Sequence, residues 1–403
     1  MPTFTYTARA RDGKKQKGTM TADSQQALRQ LLAQRGLTAE NVQKIKKGGR
    51  LRGTLGKKVK TGELLVFTRQ LSTIVSAGLP LLQGLDILAE QTDDQGFAGM
   101  IESVAANVEA GQSFSDALGE FPRAFPDLFV SMVRAGEAGG DLDGVLLQLA
   151  DYLEAMEDLK RRIKSAMTYP VVAFSMILLI AAGLIIWVVP QFADIFGSFG
   201  RQLPAPTRVL IVTSEVLRSW RAAVIVGVFV AIIVGVKMYA KTPAGRYQLD
   251  ALKLRLPVFG PLQRKVAISR FTRTLSTLTR SGVAILQALE IVERTAGNEV
   301  FARAVRDAGD SVRSGETLAD PLARSGQFPA MVTRMIAVGE KTGALEQMLA
   351  KISDFYDSEV RATVDGLTSL IEPILIMMMG IVVGGIVIAL FMPILQLSSL
   401  VSG

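Results

Sequence analysis

The chain has 403 residues, of which 49% are hydrophobic and 20% are charged; its formal net charge is +8 and its mean hydropathy is +0.32. This composition is too apolar for an ordinary soluble protein and favours a membrane protein. The chain has no cysteine and no histidine, which excludes disulfides, thiol chemistry, the commonest zinc and haem ligands and the usual general base at neutral pH.

Residues 1–45 predict a small α/β module. Two extended pieces separated by a turn are marked by Phe4, Tyr6, Ala8, residues 11–13 and residues 18–21. A following amphipathic helix is marked by Ala27, Leu28, Leu31 and Leu32. Residues 46–61 are rich in glycine, lysine and arginine and predict a basic linker, which does not satisfy the phosphate-loop pattern G-x-x-x-x-G-K-[ST].

The remainder of the chain contains one sequence unit twice. Residues 67–88 and 271–292 are identical at 11 of 22 positions without a gap, and residues 133–143 match residues 336–346. The offset is 204 residues in the first match and 203 in the second, and Pro170 and Pro373 keep this register. Two copies of one structural unit are therefore expected to fold alike.

Apolar residues recur at helical spacing within each copy. The stripe of the first copy is Leu64, Phe67, Leu71 and Ile74, and that of the second is Ile268, Phe271, Leu275 and Leu278. This period predicts homologous helical-bundle domains at residues 62–168 and 240–371. Each domain is expected to end in a long amphipathic helix, at residues 142–165 and 345–370, that continues into the membrane.

Three apolar segments predict transmembrane helices, at residues 169–190, 219–239 and 372–397. A helix of about 20 residues crosses the hydrocarbon core. The second segment is the weakest, because only residues 222–236 are uncharged, although Trp220 and Tyr239 suit the two interfaces. Buried core helices of a large soluble fold are the alternative interpretation.

The basic residues predict the orientation. Lysine and arginine crowd residues 160–164 and 237–270, which should therefore be cytoplasmic, although the segment between the first two spans also carries arginines. We expect a cytoplasmic N-terminus without a cleaved signal, a short periplasmic loop at residues 191–218 and a periplasmic tail at residues 398–403. The predicted fold is thus mainly α, a polytopic membrane protein with two cytoplasmic helical bundles and a small N-terminal α/β module.

Six segments along the chain carry a resemblance to a known family: FTRQLSTIVSAGLPL (67–81), AGEAGGDLD (135–143), LADYLE (149–154), MTYP (167–170), VPQFADIFGSFGRQLPAPT (189–207) and LIEPILIMMMGIVVGGIVIALFMPILQL (370–397). With them, essentially the whole chain resembles the PilC/GspF family, the F-domain platform proteins of the inner membrane in type IV pilus and type II secretion machines. The runs GGIVIA and PQFADIFGSFG favour the pilus branch.

The resemblance implies a scaffold of the bacterial inner membrane that is not an enzyme and needs no cofactor. Such a protein couples a cytoplasmic hexameric assembly ATPase to the insertion of pilin subunits into a filament, and a retraction ATPase is a further implied partner. Its other implied partners are inner-membrane alignment proteins and further copies of itself. The equivalent platform of a type II secretion system is the alternative.

Two pairs of equivalent features are candidates for contacts with a cytoplasmic partner. The turn Gly136-Glu137 matches Gly339-Glu340 in the second copy; the structural alternative is a helix end with a left-handed glycine, followed by a helix whose N-terminus favours an acid. Arg69 matches Arg273, and here the alternative is an ion pair inside each domain.

The candidates in the membrane region are Tyr169, Pro170, Glu372, Pro373, Gly380, Gly384 and Gly385. Glu372 lies at the start of an uncharged span, where a charged side chain has a high free energy unless it is paired or hydrated. The resemblance implies a pilin helix with a positive N-terminal amine that Glu372 would meet; exposure at the interface is the alternative. The three glycines form a small-residue face that suits packing within the chain, between copies or against a pilin.

Some secretion-branch relatives bind calcium through three acidic positions, which align here with Asp93, Leu147 and Asp151. Leucine has no oxygen to offer, and calcium needs six or more, so no structural calcium is expected.

Two other classes compete with the platform interpretation. The positive charge suits a lipid bilayer or nucleic acid, but the basic linker lacks aromatic residues on which bases stack, so nucleic acid is not expected. An oligomeric transporter is the remoter alternative, because these spans lack polar residues at mid-membrane.

Overall fold

The computed structural model describes residues 3–10, 15–21, 37–44, 58–192, 204–257 and 259–401. Contacts divide the chain into two compact units, Met1–Pro126 and Asp127–Gly403. The boundary falls inside the segment predicted as the first helical domain. The reason is that the long helix beginning at Leu142 packs against two helices of the second copy.

The N-terminal module contains a three-stranded antiparallel sheet of order β2-β1-β3. Its strands are β1 (Thr3–Ala10), β2 (Lys15–Thr21) and β3 (Leu37–Lys44). The two predicted strands are confirmed. The third was missed because Glu40, Asn41 and Lys44 give it a poor strand propensity. The predicted helix around Ala27 and most of the basic linker lie outside the described residues.

The two copies carry corresponding helices. Those of the first copy are α1 (Thr61–Ser76), α2 (Leu81–Gln91), α3 (Gln95–Glu109), α4 (Phe114–Gly119), α5 (Asp127–Gly139) and α6 (Leu142–Gly183). Between the copies lie α7 (Ala205–Arg218), α8 (Trp220–Tyr239) and α9 (Pro243–Arg255). Those of the second copy are α10 (Phe259–Arg280), α11 (Ile285–Thr295), α12 (Glu299–Arg313), α13 (Ala319–Arg324), α14 (Ala330–Thr342) and α15 (Leu345–Val401). The prediction of two homologous helical domains is therefore confirmed in element order.

The local chemistry of the helix ends is repeated as well. Oδ1 of Asp94 accepts hydrogen bonds from the amides of Gly96 (2.9 Å) and Phe97 (3.0 Å) at the start of α3. Asn298, 204 residues later, accepts a bond from the amide of Val300 (2.9 Å) at the start of α12. Such caps satisfy amides that have no partner within the helix.

An aromatic triad recurs in the cores of the two copies. In the first unit the rings of Phe67, Phe97 and Phe125 have centroids 5.5–6.0 Å apart. The equivalent residues of the second copy are Phe271, Phe301 and Phe328, and the ring of Phe328 lies 4.8 Å from that of Phe271 and 5.4 Å from that of Phe301. Tilted and edge-on arrangements of this kind stabilise a core beyond the area they bury.

Among the described residues, three helices are long and apolar enough to cross a membrane: Leu142–Phe192, Trp220–Tyr239 and Leu345–Pro393. The first includes a π-helical stretch at Leu184–Val188. Both predicted long helices, α6 and α15, continue from the helical domains into a span without interruption. The chain is therefore a multi-pass membrane protein.

The segment predicted as a short loop at residues 191–218 contains a helix, α7. The hydroxyl of Thr207 donates to the carbonyl of Ala389 in α15 at 2.5 Å. Leu210 and Ile211 pack against a buried cluster of Ala181, Val189, Ile386 and Leu390. The structure thus adds a helix to this segment, and apolar residues of α7 are partly buried beside the far ends of α6 and α15.

Candidate functional site

The turn after α14 is shaped by two glycines. Gly339 is buried, and a Cβ atom there would lie 2.8 Å from Cα of Leu345 and 3.1 Å from Cγ of Met348. Gly343 ends the helix with φ of +71°, a left-handed conformation that favours glycine. α14 and α15 therefore meet closely only because position 339 has no side chain.

Glu340 binds the start of another helix. Its Oε1 accepts a hydrogen bond from the amide of Leu318 at 2.5 Å, and its Oε2 accepts one from the amide of Ala319 at 3.0 Å. These amides begin α13, where a carboxylate is also favoured by the helix dipole. The half-buried carboxylate thus connects α14 to α13, an earlier helix and not the one that follows the turn.

The equivalent turn of the first copy has the same backbone features. Gly136 is buried, and a Cβ atom there would lie 3.0 Å from Cβ of Val145. Its carbonyl accepts from the amide of Asp141 at 3.0 Å, and Gly140 has φ of +71°. Glu137 is half-buried and also has an interaction partner.

Arg273 forms an ion pair inside the second copy. Its guanidinium contacts the carboxylate of Asp357, which also accepts from the hydroxyl of Ser269, and lies 3.6 Å from Asp354. Arg273 and Asp357 are 22% and 16% exposed, so the pair is mostly withdrawn from water. Arg69, its counterpart on α1, is half-buried and likewise has a partner.

Polar groups join α6, α10 and α15 around a cavity of about 300 Å³. The phenol of Tyr152 lies 3.2 Å from the hydroxyl of Thr274, and the hydroxyl of Ser281 donates to Gln148 at 3.0 Å. Burial raises the pKa of the Tyr152 phenol. Sequence reasoning missed this junction, because the residues of the two hydrogen-bonded pairs are 122 and 133 positions apart in the chain.

An apolar cluster continues this junction toward the membrane. It consists of Leu159, Leu262, Val266, Val360 and Val364. The polar junction and this cluster together attach α6 of the first copy to α10 and α15 of the second. α6, α10 and α15 are therefore packed against one another between the helical domains and the spans.

The two candidate prolines at the membrane lie inside continuous helices. Pro170 is buried within α6, whereas Pro373 is exposed within α15. Tyr169 is 57% exposed, and its counterpart Glu372 is exposed as well. The structure therefore presents both residues on the surface of the chain where the spans begin.

The glycine face of α15 is open. Within the parts of the chain that the structure describes, no heavy atom lies within 4 Å of the Cβ position of Gly380, Gly384 or Gly385. Ile386, Ala389 and Leu390 are buried instead. Close packing inside the chain thus uses other positions of this helix.

The three positions aligned with a calcium site are all exposed, one in a loop and two in a helix. Asp93 is exposed in the loop after α2, and Leu147 and Asp151 are exposed on α6. In the described segments no group of three or more acidic side chains is arranged to hold a metal ion.

Comparison with known proteins places these features in a family. The sequence matches the family Type II secretion system (T2SS), protein F at residues 67–190 and again at residues 271–393, and the N-terminal domain of that family at residues 1–46. Both matches to the F family begin at the equivalent phenylalanines Phe67 and Phe271. Both copies of the duplicated unit therefore match the same family model.

Curated relatives resemble the chain over its full length. It is 41% identical to the Type IV pilus assembly protein PilC of Myxococcus xanthus, over 98% of this chain and 95% of the relative. It is also 41% identical to PilC of Thermus thermophilus, over 98% of each chain, and 38% identical to the Type II secretion system protein F of Pseudomonas aeruginosa, over 100% of each. The chain therefore belongs to the Type II secretion system protein F family.

Proposed function

We propose that this protein is the inner-membrane platform of a type IV pilus assembly machine. It couples a cytoplasmic hexameric ATPase to the insertion of pilin subunits into the filament. The observation that carries the proposal is similarity to type IV pilus assembly proteins along the full chain, at 41% identity for two of them. The role is structural, and the chain itself is not an enzyme.

The long helices supply the mechanical part of this proposal. α6 and α15 each extend without a break from a helical domain into a span, and α10 binds both of them. A force applied to either domain by an ATPase therefore reaches both spans. The domains and the N-terminus lie in the cytoplasm in this proposal, and the C-terminus lies in the periplasm.

We assign the partners by position. The assembly and retraction ATPases act on the cytoplasmic domains, while pilins, alignment proteins and other copies of the chain meet the spans. α8 supports the last point, because the part of the chain that the structure describes buries none of its residues. The open glycine face of α15 offers a second surface for a neighbouring helix. We assign the cytoplasmic candidate residues to the architecture of the domains; these are Gly136, Glu137, Gly339, Glu340, Arg69 and Arg273.

Glu372 is our candidate for the pilin contact. It is exposed at the start of a span, where a positive amine on a neighbouring helix would stabilise its charge. Pilus assembly at the normal rate by Glu372→Gln would remove this role. The control Glu346→Gln, which removes a 48% exposed carboxylate from the same helix outside the span, should assemble pili normally.

The second candidate function is the platform of a type II secretion system, which the 38% identity to a protein F favours. Deletion of the gene, with complementation, separates the two. Surface pili are counted by electron microscopy and secreted proteins are quantified in the same cultures. Loss of pili with normal secretion supports the pilus assignment; loss of secretion with normal pili transfers the protein to the secretion machine.

A further inference from the structure

A groove of about 410 Å³ lies between α6 and α15, about one turn before both helices become apolar. Its polar lining consists of Arg162 and Ser165 from α6 and of Arg361, Asp365, Thr368 and Ser369 from α15. The two predicted spans begin at residues 169 and 372. The groove therefore sits at the level where helices leave water for the headgroup region of a bilayer.

The charges in this groove are incompletely balanced. In the described part of the chain, neither the guanidinium of Arg162 nor that of Arg361 has an ion-pair or hydrogen-bond partner. Their neighbours on α6 differ, since Lys160 lies 3.1 Å from Glu157 and Arg161 lies 3.0 Å from Asp158. Asp365 is the acidic residue of the lining. Two cations and one carboxylate leave one positive charge, which matches a single phosphodiester.

The floor of the groove is apolar. Leu159 and Val364 belong to the buried cluster that joins α6, α10 and α15. On the membrane side of the groove, Tyr169 and Leu370 are exposed. A ligand that fits this site therefore has an anionic head with hydrogen-bonding groups and an apolar tail that leaves toward the bilayer.

We propose that the groove binds the headgroup of an anionic glycerophospholipid of the phosphatidylglycerol type. The guanidinium groups of Arg162 and Arg361 hold the phosphodiester between the two helices, as paired arginines commonly hold phosphate. The hydroxyls of Ser165, Thr368 and Ser369 donate to backbone carbonyls of their own helices, so their oxygens are acceptors for the hydroxyl groups of a glycerol headgroup. The carboxylate of Asp365 accepts a hydrogen bond from a headgroup hydroxyl, which a choline headgroup does not offer. The lipid thus stabilises the pairing of α6 and α15 at the membrane surface.

The test uses the full chain purified in a neutral detergent. Binding of short-chain phosphatidylglycerol and phosphatidylcholine is measured by calorimetry and by native mass spectrometry. The double variant Arg162→Gln/Arg361→Gln removes both cations. The matched control Arg161→Gln/Lys351→Gln removes one charge from each of the same helices outside the groove, at exposed positions.

We expect the wild type and the control to bind phosphatidylglycerol alike and more tightly than phosphatidylcholine. The groove variant should lose about tenfold to thirtyfold in affinity for phosphatidylglycerol and little for phosphatidylcholine. Equal losses in the groove variant and the control would mean nonspecific attraction by net charge and would overturn the site. Equal binding of both lipids by the wild type would also overturn it, independently of any variant.

Discussion

Glu340 illustrates how one side chain holds two helices of the second copy together. Its carboxylate accepts two amide hydrogen bonds at the start of α13. Replacing Glu340 by alanine leaves both amides without this acceptor, at a cost of about 2 kcal/mol. We expect the protection of the Leu318 and Ala319 amides against hydrogen exchange to fall by about thirtyfold, as measured by mass spectrometry on the purified protein.

Glu290→Ala provides the control for this prediction. Glu290 is 58% exposed and pairs with Arg313 at 3.2 Å on the surface. Exposed ion pairs contribute little to stability, so hydrogen exchange of the amides at the start of α13 should not change in this variant. Unchanged exchange in Glu340→Ala as well would show that the two hydrogen bonds do not stabilise α13 in solution.

Arg273 tests whether a residue singled out for partner binding is structural. Arg273→Ala leaves the mostly buried carboxylate of Asp357 without its cation, so we expect a loss of about 2 kcal/mol and a fall in the melting temperature of about 5 °C. Arg280→Ala, on the same helix, removes an arginine that is 63% exposed and 3.8 Å from Glu346, and should change stability by less than about 0.5 kcal/mol. If Arg273→Ala melts like the wild type but abolishes pilus assembly, the partner interpretation is the correct one.

Sequence reasoning allowed a structural role for both residues but could not name the partner of either. The period of apolar residues around Arg273 places it on a helix, but Asp357 is 84 residues away and comes near only through the packing of α10 on α15. Glu340 reaches amides 21 and 22 residues earlier in the chain. Patterns of apolar residues predict local secondary structure, but they do not predict which distant residues contact each other.

At the scale of elements, the close meeting of α14 and α15 depends on Gly339. A methyl group there would lie 2.8 Å from the backbone of Leu345, so a helix has to shift. We expect Gly339→Ala to destabilise the protein by about 1–3 kcal/mol. Gly136→Ala in the first copy should cost less, since its nearest neighbour is the side chain of Val145 at 3.0 Å. Thermal unfolding of the three proteins gives the ranking.

Gly366→Ala is the matched control for this ranking. Gly366 lies inside α15, and no heavy atom of the described chain approaches its Cβ position within 4 Å. Alanine is the better helix former, so this variant should be as stable as the wild type or more stable by up to about 1 kcal/mol. A Gly339→Ala protein as stable as Gly366→Ala would mean that α14 and α15 do not meet this closely.

The elements differ in how well the sequence predicts them. The long helices and spans were predicted because apolar residues recur at helical spacing over many turns and charges are missing for about 20 residues. α7 was missed because it is short and its helical state depends on packing against α15, where Thr207 bonds to a residue 182 positions later. The open glycine face of α15 was equally unpredictable, because the same pattern suits packing within or between chains.

At the scale of the whole molecule, the duplication and the number of spans together predict that both copies lie on one side of the membrane. Two spans separate the copies, so the chain crosses and returns. The cysteine-free sequence allows a direct test, since a single introduced cysteine is the only thiol. Ala110→Cys and Ser314→Cys place thiols at exposed, equivalent helix ends of the two copies, and Glu215→Cys places one on α7.

In spheroplasts, a membrane-impermeant maleimide should label Glu215→Cys but neither of the other two variants. The reason is that the basic segments before the first span and after the second span favour the cytoplasmic side of the membrane. After permeabilisation all three should react, and the wild type provides the unlabelled background. Labelling of both Ala110→Cys and Ser314→Cys in intact spheroplasts would reverse the orientation. Labelling of only one of them would place the two copies on opposite sides of the membrane. α8 would then not be a transmembrane helix, because α8 is the candidate span between the first span and the second copy.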